Sequence, residues 1–217
     1  MTDRDPLVDL AVLVPGKDEE ATIGTLLSQR QASLQIREIE YRTLVHPRRD
    51  PGCLGEAPQL LETFVRRARQ ALVVFDHAGC GREAEDVQAL ESELKRRLSA
   101  AGWGDRAEVI VIVPELEAWV WSDSPEVDAV LGWQGAEPSL RDWLKTNGLW
   151  EAGASKPSDP KRALEQALRQ ARVRRSSAIY GALARTVGLE RCRDSAFARL
   201  RRILQNWFGT GEMGEAT

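Results

Sequence analysis

Acidic residues follow apolar, strand-like segments at two places in the sequence. Asp76 comes directly after the apolar segment 71–75, and Glu115 and Glu117 come shortly after the apolar segment 108–113. Functional groups gather at the carboxyl ends of parallel strands. A carboxylate such as Asp76 can hold Mg²⁺ there, and acids beside apolar surface often have a raised pKa or a neighbouring cation. Two plainer interpretations stay open: Asp76 caps the next helix, and the later acids face solvent.

The segment 14–20, Val-Pro-Gly-Lys-Asp-Glu-Glu, joins a predicted strand to a predicted helix. Backbone amides and Lys17 at such a junction could attract phosphate or another anion. The segment is not a Walker A motif, because the spacing and the Lys-Ser/Thr pair are missing. The alternative is a plain turn before a charged helix start, which Asp18 would cap.

Tryptophan and arginine are both locally concentrated. The tryptophans that fall in a short span are Trp119, Trp121, Trp133, Trp143 and Trp150. They could stack on bases, although an aromatic core is the commoner use of such residues. Arginine-rich stretches at 66–69, 95–97, 169–175 and 199–202 would suit a nucleic-acid backbone, or are solvated helix faces.

Composition excludes several classes of protein. The 217 residues carry a formal net charge of only −3, so a globally basic nucleic-acid binder is not indicated. The sequence has no apolar run of the roughly 20 residues that span a bilayer, and its first residues do not resemble a signal peptide. Three widely spaced cysteines argue against a disulfide framework. A cytoplasmic protein is therefore expected, in which His46, Cys53, His77 and Cys80 are a zinc site or, more commonly, two buried thiols and two loop histidines.

Strand-like and helix-like patterns alternate in the first half of the chain. They predict strands at 8–14, 37–45, 71–75 and 108–113, helices after Asp18 and at 59–70 and 83–101, and a loop at 46–58. This order predicts an α/β fold with a mainly parallel four-stranded sheet. The second half predicts helices at 128–131, 140–145, 161–172, 177–187 and 195–208. We therefore expect a core at 1–123, a helical extension at 124–208 that packs on it, and a flexible tail at 209–217.

The order of these motifs resembles the Toprim-like proteins of the DUF4276 family. The similar features are a glycine loop with acids, Asp76 at a strand end, and Glu-Leu-Glu-Ala-Trp at 115–119. Segments 159–161 and 194–197, with Tyr180 between them, look like the tail of that family, so the resemblance covers most of the chain. It implies a Rossmann-like Toprim core, Mg²⁺-dependent phosphodiester chemistry, and a place in prokaryotic anti-phage defence, often beside an ATPase.

The sequence departs from the Toprim pattern at two positions. The family places a glutamate just before the first-loop glycine, where this chain has Pro15. It places a second aspartate two residues after the strand-end aspartate, where this chain has Ala78. Proline can neither bind a metal ion nor act as a general base. The departures put the usual two-metal site in doubt.

Two main hypotheses follow. In the first, a Mg²⁺-dependent nuclease or nuclease-like effector holds the metal with Asp76 and Glu117, assisted by Glu19 or Glu115, while Lys17 contacts phosphate. In the second, a Toprim-derived subunit without catalysis has a structural or sensing role in a defence complex. The two departures favour the second hypothesis, and the intact acids at 115–117 favour the first. An enzyme that processes small molecules or nucleotides is a third option.

Overall fold

The computed structural model describes residues 8–210 and shows an α/β fold built on one parallel sheet. The strands are β1 Val8–Val14, β2 Tyr41–Val45, β3 Ala68–Asp76 and β4 Ala107–Ile112. They lie in the order β2-β1-β3-β4, and every pair is parallel. This confirms the predicted fold class and is consistent with a Rossmann-like arrangement. Because the chain leaves β1 toward β2 on one side and later adds β3 on the other, the winding reverses between β1 and β3.

The described helices cover both faces of the sheet. They are α1 Lys17–Gln29, α2 Gln31–Leu34, α3 Arg49–Leu61, α4 Val87–Leu98, α5 Pro125–Val130, α6 Leu140–Thr146, α7 Pro160–Gln170, α8 Ser177–Thr186 and α9 Ser195–Phe208. Within residues 8–210 no helix is both long enough and apolar enough to cross a membrane.

The predicted loop at 46–58 and the predicted helix at 59–70 are wrong. Helix α3 occupies 49–61, and β3 already begins at Ala68. Pro51 fits because it lies in the first helical turn, where its missing N–H would have no partner. Pro58 lies inside the helix and leaves the carbonyl of Leu54 without its usual donor; Arg97 Nη1 donates to that oxygen instead, at 2.8 Å. A contact from α4 therefore permits a helix that the local sequence argues against.

Smaller differences concern the ends of elements. The second strand begins at Tyr41 rather than at 37, and the helix predicted from 83 begins at Val87 after the capping side chain of Asp86. Asp18 does not cap α1, because Gly16 precedes the helix and Asp18 lies within its first turn. The tail predicted at 209–217 lies, from 211 onward, outside the described residues.

Two hydrophobic clusters lie on opposite faces of the sheet. One joins β1 residues such as Leu10 and Val12 to α1 and to the C-terminal helices, including Leu164 of α7 and Leu200 of α9. The other joins the opposite face, including Phe75 of β3, to α3 and α4. The C-terminal helices thus pack on the same sheet face as α1. The division at 123/124 stays a prediction.

The helix pair α1 and α8 is held by polar contacts as well as by packing. Arg30, just after α1, donates through Nη1 to the carbonyls of Ala184, Arg185 and Val187, at 2.6–3.0 Å. These carbonyls lie at the end of α8, where intrahelical donors run out. The contact holds the end of α8 beside the end of the first helix.

Candidate functional site

A cleft of about 440 Å³ opens at the carboxyl ends of β1 and β3, where the winding of the sheet reverses. Its acidic lining residues are Asp18, Glu19, Asp50, Asp76 and Glu117. Its basic lining residues are Lys17, Arg49, Lys161 and Arg175. Ligands of α/β proteins bind at such reversal points because loops from neighbouring strands diverge there and leave a crevice. The cleft is therefore the candidate functional site.

Asp76 is the last residue of β3 and lies at the bottom of the cleft. It is only 9% exposed, and its buried Oδ1 has no hydrogen-bond partner. Burial raises the pKa of Asp76 well above its usual value, and the negative charges of Glu19 and Asp50 raise it further. Buried polar atoms are nearly always satisfied by protein, water or a ligand, so this oxygen is available to a group that enters the cleft.

Glu19 is brought to the cleft by the tight start of α1. Its carboxylate folds back over Gly16, and Oε2 lies 2.8 Å from the position that a Cβ on residue 16 would take. Glycine therefore leaves the room that this conformation needs. Burial raises the pKa of Glu19 to about 7, with smaller contributions from Asp50 and Asp18. The structure thus brings Glu19 and Asp76 together, as the first hypothesis requires.

Asp50 is a site residue that the sequence did not reveal. It lies in the first turn of α3, and its Oδ1 accepts a hydrogen bond from the backbone N–H of Asp76 at 2.9 Å. Burial raises its pKa. Because the sequence predicts a loop at 46–58, it does not place Asp50 at the start of a helix, although an acid followed by Pro51 is typical of such a start.

His46 directly follows β2 and packs against the start of α3. Its ring is 2% exposed and lies so close to Gly52 that a Cβ there would approach Nδ1 to 2.0 Å. Nδ1 accepts a hydrogen bond from the backbone N–H of Arg48 at 3.1 Å, and Nε2 lies 3.4 Å from Glu56. The imidazole thus supports the helix turn that carries Asp50.

Glu117 and Glu115 already have cationic partners. Arg175 Nη2 and the Tyr180 hydroxyl donate to Glu117 Oε1 at 2.8 and 2.7 Å. Lys161 Nζ lies 3.1 Å from Glu115 Oε2. Glu117 lines the cleft, whereas Glu115 is outside the set of lining residues. These ion pairs make the two glutamates less available than Asp76 as ligands.

Lys17 lies at the rim of the cleft. Its side chain is 71% exposed and its ammonium pairs with Glu20 at 2.6 Å. Exposed pairs of this kind are weak, so Lys17 can exchange its partner for an anion at little cost. Its role in phosphate binding stays a prediction.

The donor chemistry of the cleft fits a hard divalent cation. Asp76, Glu19 and Asp50 offer oxygen atoms, which Mg²⁺ prefers, and Asp76 Oδ1 lacks any other partner. Within residues 8–210, however, no group of three or more His, Cys, Asp or Glu side chains is already arranged to hold a metal ion. A cation would therefore have to draw the carboxylates of the cleft together. For the same residues, the structure gives no support to a zinc site built from His46, Cys53, His77 and Cys80.

The tryptophans in the second half are mainly core residues. Trp121, Trp133 and Trp150 are at most 6% exposed, and their indole N–H groups donate to the backbone carbonyls of Pro160, Ala167 and Ala154. None of these three can offer a face for base stacking. The core interpretation is the one that the structure supports.

Comparisons with protein-family models, with curated proteins and with solved structures found no match to this chain. The resemblance to the Toprim-like DUF4276 family stays a prediction.

Proposed function

We propose that the protein is a Mg²⁺-dependent enzyme that cleaves phosphodiester bonds of nucleic acid at the cleft formed by β1, β3 and α3. One observation carries the proposal: the buried Asp76 has an unpartnered Oδ1 next to Glu19 and Asp50, at the point where the parallel sheet reverses its winding. A nuclease-type role in an anti-phage defence system, beside an ATPase, would agree with the proposal but depends on the resemblance alone.

The carboxylates of the cleft have the following roles in this proposal. Asp76, Glu19 and Asp50 would hold Mg²⁺, which when bound polarises a phosphoryl group and neutralises the charge that develops during cleavage. Because the pKa of Glu19 is about 7 in the metal-free protein, a cation would have to displace a proton from this carboxyl at neutral pH, so its binding should strengthen as the pH rises. The carboxylates repel one another while the cleft lacks a cation, so binding of positive charge is favoured there.

A catalytically inactive subunit is the second candidate, and the ion pairs of Glu117 favour it. Arg175 and Lys161 already neutralise two of the acids that the first hypothesis assigns to the metal. Such internal neutralisation could replace a metal ion in a protein that only has a structural or sensing role. This candidate predicts that the cleft binds no divalent cation.

The test combines cation binding with cleavage. Calorimetric titration of Mn²⁺ at about pH 8 should show binding to the wild type and at least about 10-fold weaker binding to Asp76→Asn. The exposed acid Asp105 gives the matched control, Asp105→Asn, which should bind as the wild type does. DNA and RNA cleavage with Mg²⁺ should be lost in Asp76→Asn and retained in the control.

Because burial disfavours the charged form of Asp76, the amide should fold at least as well as the wild type near pH 8, which separates lost chemistry from lost structure. No Mn²⁺ binding and no cleavage of any nucleic acid by the wild type would refute the proposal and support the second candidate.

A further inference from the structure

The charges that line the cleft are divided between two walls. Asp76, Glu19 and Asp50 come from the sheet side, through β3, α1 and α3. Lys161 and Arg175 come from the C-terminal helices: Lys161 from the first turn of α7, and Arg175 from the segment just before α8. Besides burial, the negative charges of Glu19, Asp50, Glu117 and Glu115 raise the pKa of Asp76. We call the carboxylates Asp76, Glu19 and Asp50 the acidic wall and the cations Lys161 and Arg175 the basic wall; two further cations, Lys17 and Arg49, line the cleft from the sheet side.

Arg175 is held in a fixed orientation on the basic wall. Its Nη2 donates to Glu117 at 2.8 Å, to Asp18 at 3.2 Å and to the Tyr180 hydroxyl at 2.9 Å. Its Nη1 donates to Glu165 at 3.2 Å. Because both Nη atoms already have carboxylate partners, a phosphoryl group would bind by replacing the longer contacts, those at 3.2 Å to Asp18 and Glu165, while Glu117 and Tyr180 keep the guanidinium oriented.

Both cations of the basic wall remain accessible from the cleft. The Arg175 side chain is 35% exposed and the Lys161 side chain is 45% exposed. Each lines the cleft together with Asp76, and each is more exposed than that buried carboxylate. Enzymes of phosphoryl transfer use accessible cations that are held in a fixed orientation, opposite carboxylates that bind a metal ion.

We propose that Lys161 and Arg175 bind the phosphoryl group of the substrate, so that the C-terminal helices supply the phosphate-binding half of the site. The inference rests on the proposed function for the opposite wall. The volume of the cleft, about 440 Å³, suits one nucleotide unit and not an intact duplex. The substrate class is therefore a single-stranded nucleic acid or a free nucleotide, which share the phosphoryl group that the two cations recognise.

Neighbouring arginines provide matched controls for both residues. Arg162 follows Lys161 in α7 and Arg174 precedes Arg175; both are exposed and neither belongs to the lining of the cleft. Arg162→Met and Arg174→Met change the net charge as Lys161→Met and Arg175→Met do, within one residue of the same place. Any difference between the pairs reports on the cleft and not on the general attraction of the protein for polyanions.

Binding of a fluorescein-labelled single-stranded DNA, measured by anisotropy in EDTA, tests the proposal without catalysis. Lys161→Met and Arg175→Met should each weaken binding by about 10-fold or more, while the two controls stay within about 2-fold of the wild type. The slope of log affinity against log salt should fall by about one for each cleft variant. Inorganic pyrophosphate should displace the strand from the wild type.

Arg175→Lys separates an effect on binding from an effect on folding. This variant keeps a positive charge near the buried Glu117 but lacks the planar guanidinium group. It should fold as the wild type does by thermal melting and bind with intermediate affinity. The proposal would be overturned if Lys161→Met and Arg175→Lys bound the strand as tightly as the controls do. It would also be overturned if pyrophosphate failed to compete with the strand. A mononucleotide that competes as well as a strand identifies a free nucleotide as the source of the phosphoryl group, and weaker competition identifies a strand.

The two proposals fail in different ways. Loss of anion binding in the Lys161 and Arg175 variants, without any Mn²⁺ binding or cleavage by the wild type, would refute the proposed function and support a phosphate-binding wall. Asp76-dependent cleavage with unchanged anion binding in these variants would support the proposed function and refute the basic wall.

Discussion

Replacement of Glu19 by glutamine should stabilise the protein above neutral pH and leave its stability unchanged in acid. Glu19 is 8% exposed, and the acids near it are Asp18, Asp50, Asp76 and Glu117, whereas the cations Lys17, Lys161 and Arg175 line the same cleft. Burial raises the pKa of Glu19 from 4.5 to about 7, and the neighbouring negative charges add to the shift. The ionised form is thus disfavoured in the folded protein, and glutamine removes that penalty while it keeps the shape of the side chain.

The pKa difference sets the size of the effect. A shift from 4.5 to about 7 corresponds to about 3 kcal/mol at roughly 1.36 kcal/mol per pKa unit. Below about pH 4.5 the carboxyl is protonated in both states, so the charge has no cost. As the pH rises toward about 7, the unfolded chain releases the proton while the folded chain retains it, and the free energy of unfolding falls. Above about pH 7 the whole penalty is present in the wild type and absent from Glu19→Gln.

Urea denaturation in EDTA, at intervals from about pH 4.5 to about pH 8, measures this difference. The free energy of unfolding of Glu19→Gln minus that of the wild type should grow by about 3 kcal/mol across the range. Glu20→Gln is the control: its partner Lys17 is 71% exposed, so the difference from the wild type should stay within about 1 kcal/mol and should not follow the same curve. Parallel pH profiles for the wild type and Glu19→Gln would show that Glu19 is not buried in an acidic cluster and would refute the reasoning.

Further predictions concern the supports of the fold and the site. Arg97→Met should lower the free energy of unfolding by about 1–3 kcal/mol in urea, because the carbonyl that Pro58 leaves free loses its donor. Arg199→Met should lower it by about 3–5 kcal/mol, since Glu91 would then be a buried carboxylate without its cation. Adding Glu91→Gln should recover part of that loss in a double-mutant cycle. Asp50→Asn should weaken Mn²⁺ binding about 10-fold at about pH 8 by calorimetry, and equal affinity would remove Asp50 from the cation site.

Elements with continuous apolar patterns could be predicted from the sequence. Strand β1 and helix α9 have the predicted bounds, and β4 differs by one residue at each end. In these elements the local pattern and the tertiary environment favour the same structure, because a buried strand needs an unbroken apolar run and an amphipathic helix needs a 3.6-residue period. The alternation of such patterns predicts a mainly parallel sheet, and in the structure every strand pair is parallel.

Helix α3 could not be predicted, because its stability depends on contacts from distant parts of the chain. Glycine and proline at 51, 52, 55 and 58 are signals for a loop when only neighbours in sequence are considered. In the fold, Gly52 makes room for the ring of His46, and Arg97 replaces the donor that Pro58 lacks. The residue that α3 brings to the cleft, Asp50, was therefore missed with the helix.

The basic wall was only partly visible in the sequence. The stretch 169–175 is arginine-rich, but only the fold shows that one of its residues, Arg175, reaches Glu117, which lies 58 positions away in the chain. Its neighbour Arg174 is exposed and outside the cleft. The difference between the two depends on how the chain turns between α7 and α8, which composition cannot reveal. A run of basic residues thus shows where cations occur in the sequence, and only the fold shows which of them lines the cleft.

The alanine at position 78 does not leave the cleft without a second carboxylate beside Asp76. The backbone N–H of Ala78 donates to the carbonyl of Pro114 at 2.8 Å, and Ala78 is not a lining residue. Asp50 reaches the end of β3 from α3 instead and contacts the backbone of Asp76 itself. Buried carboxylates that repel one another lower the stability of the fold, and apolar or amide side chains of similar size would avoid that penalty. The cation of the proposed function would offset that penalty, and it would do so through Asp50 without needing an acid at position 78.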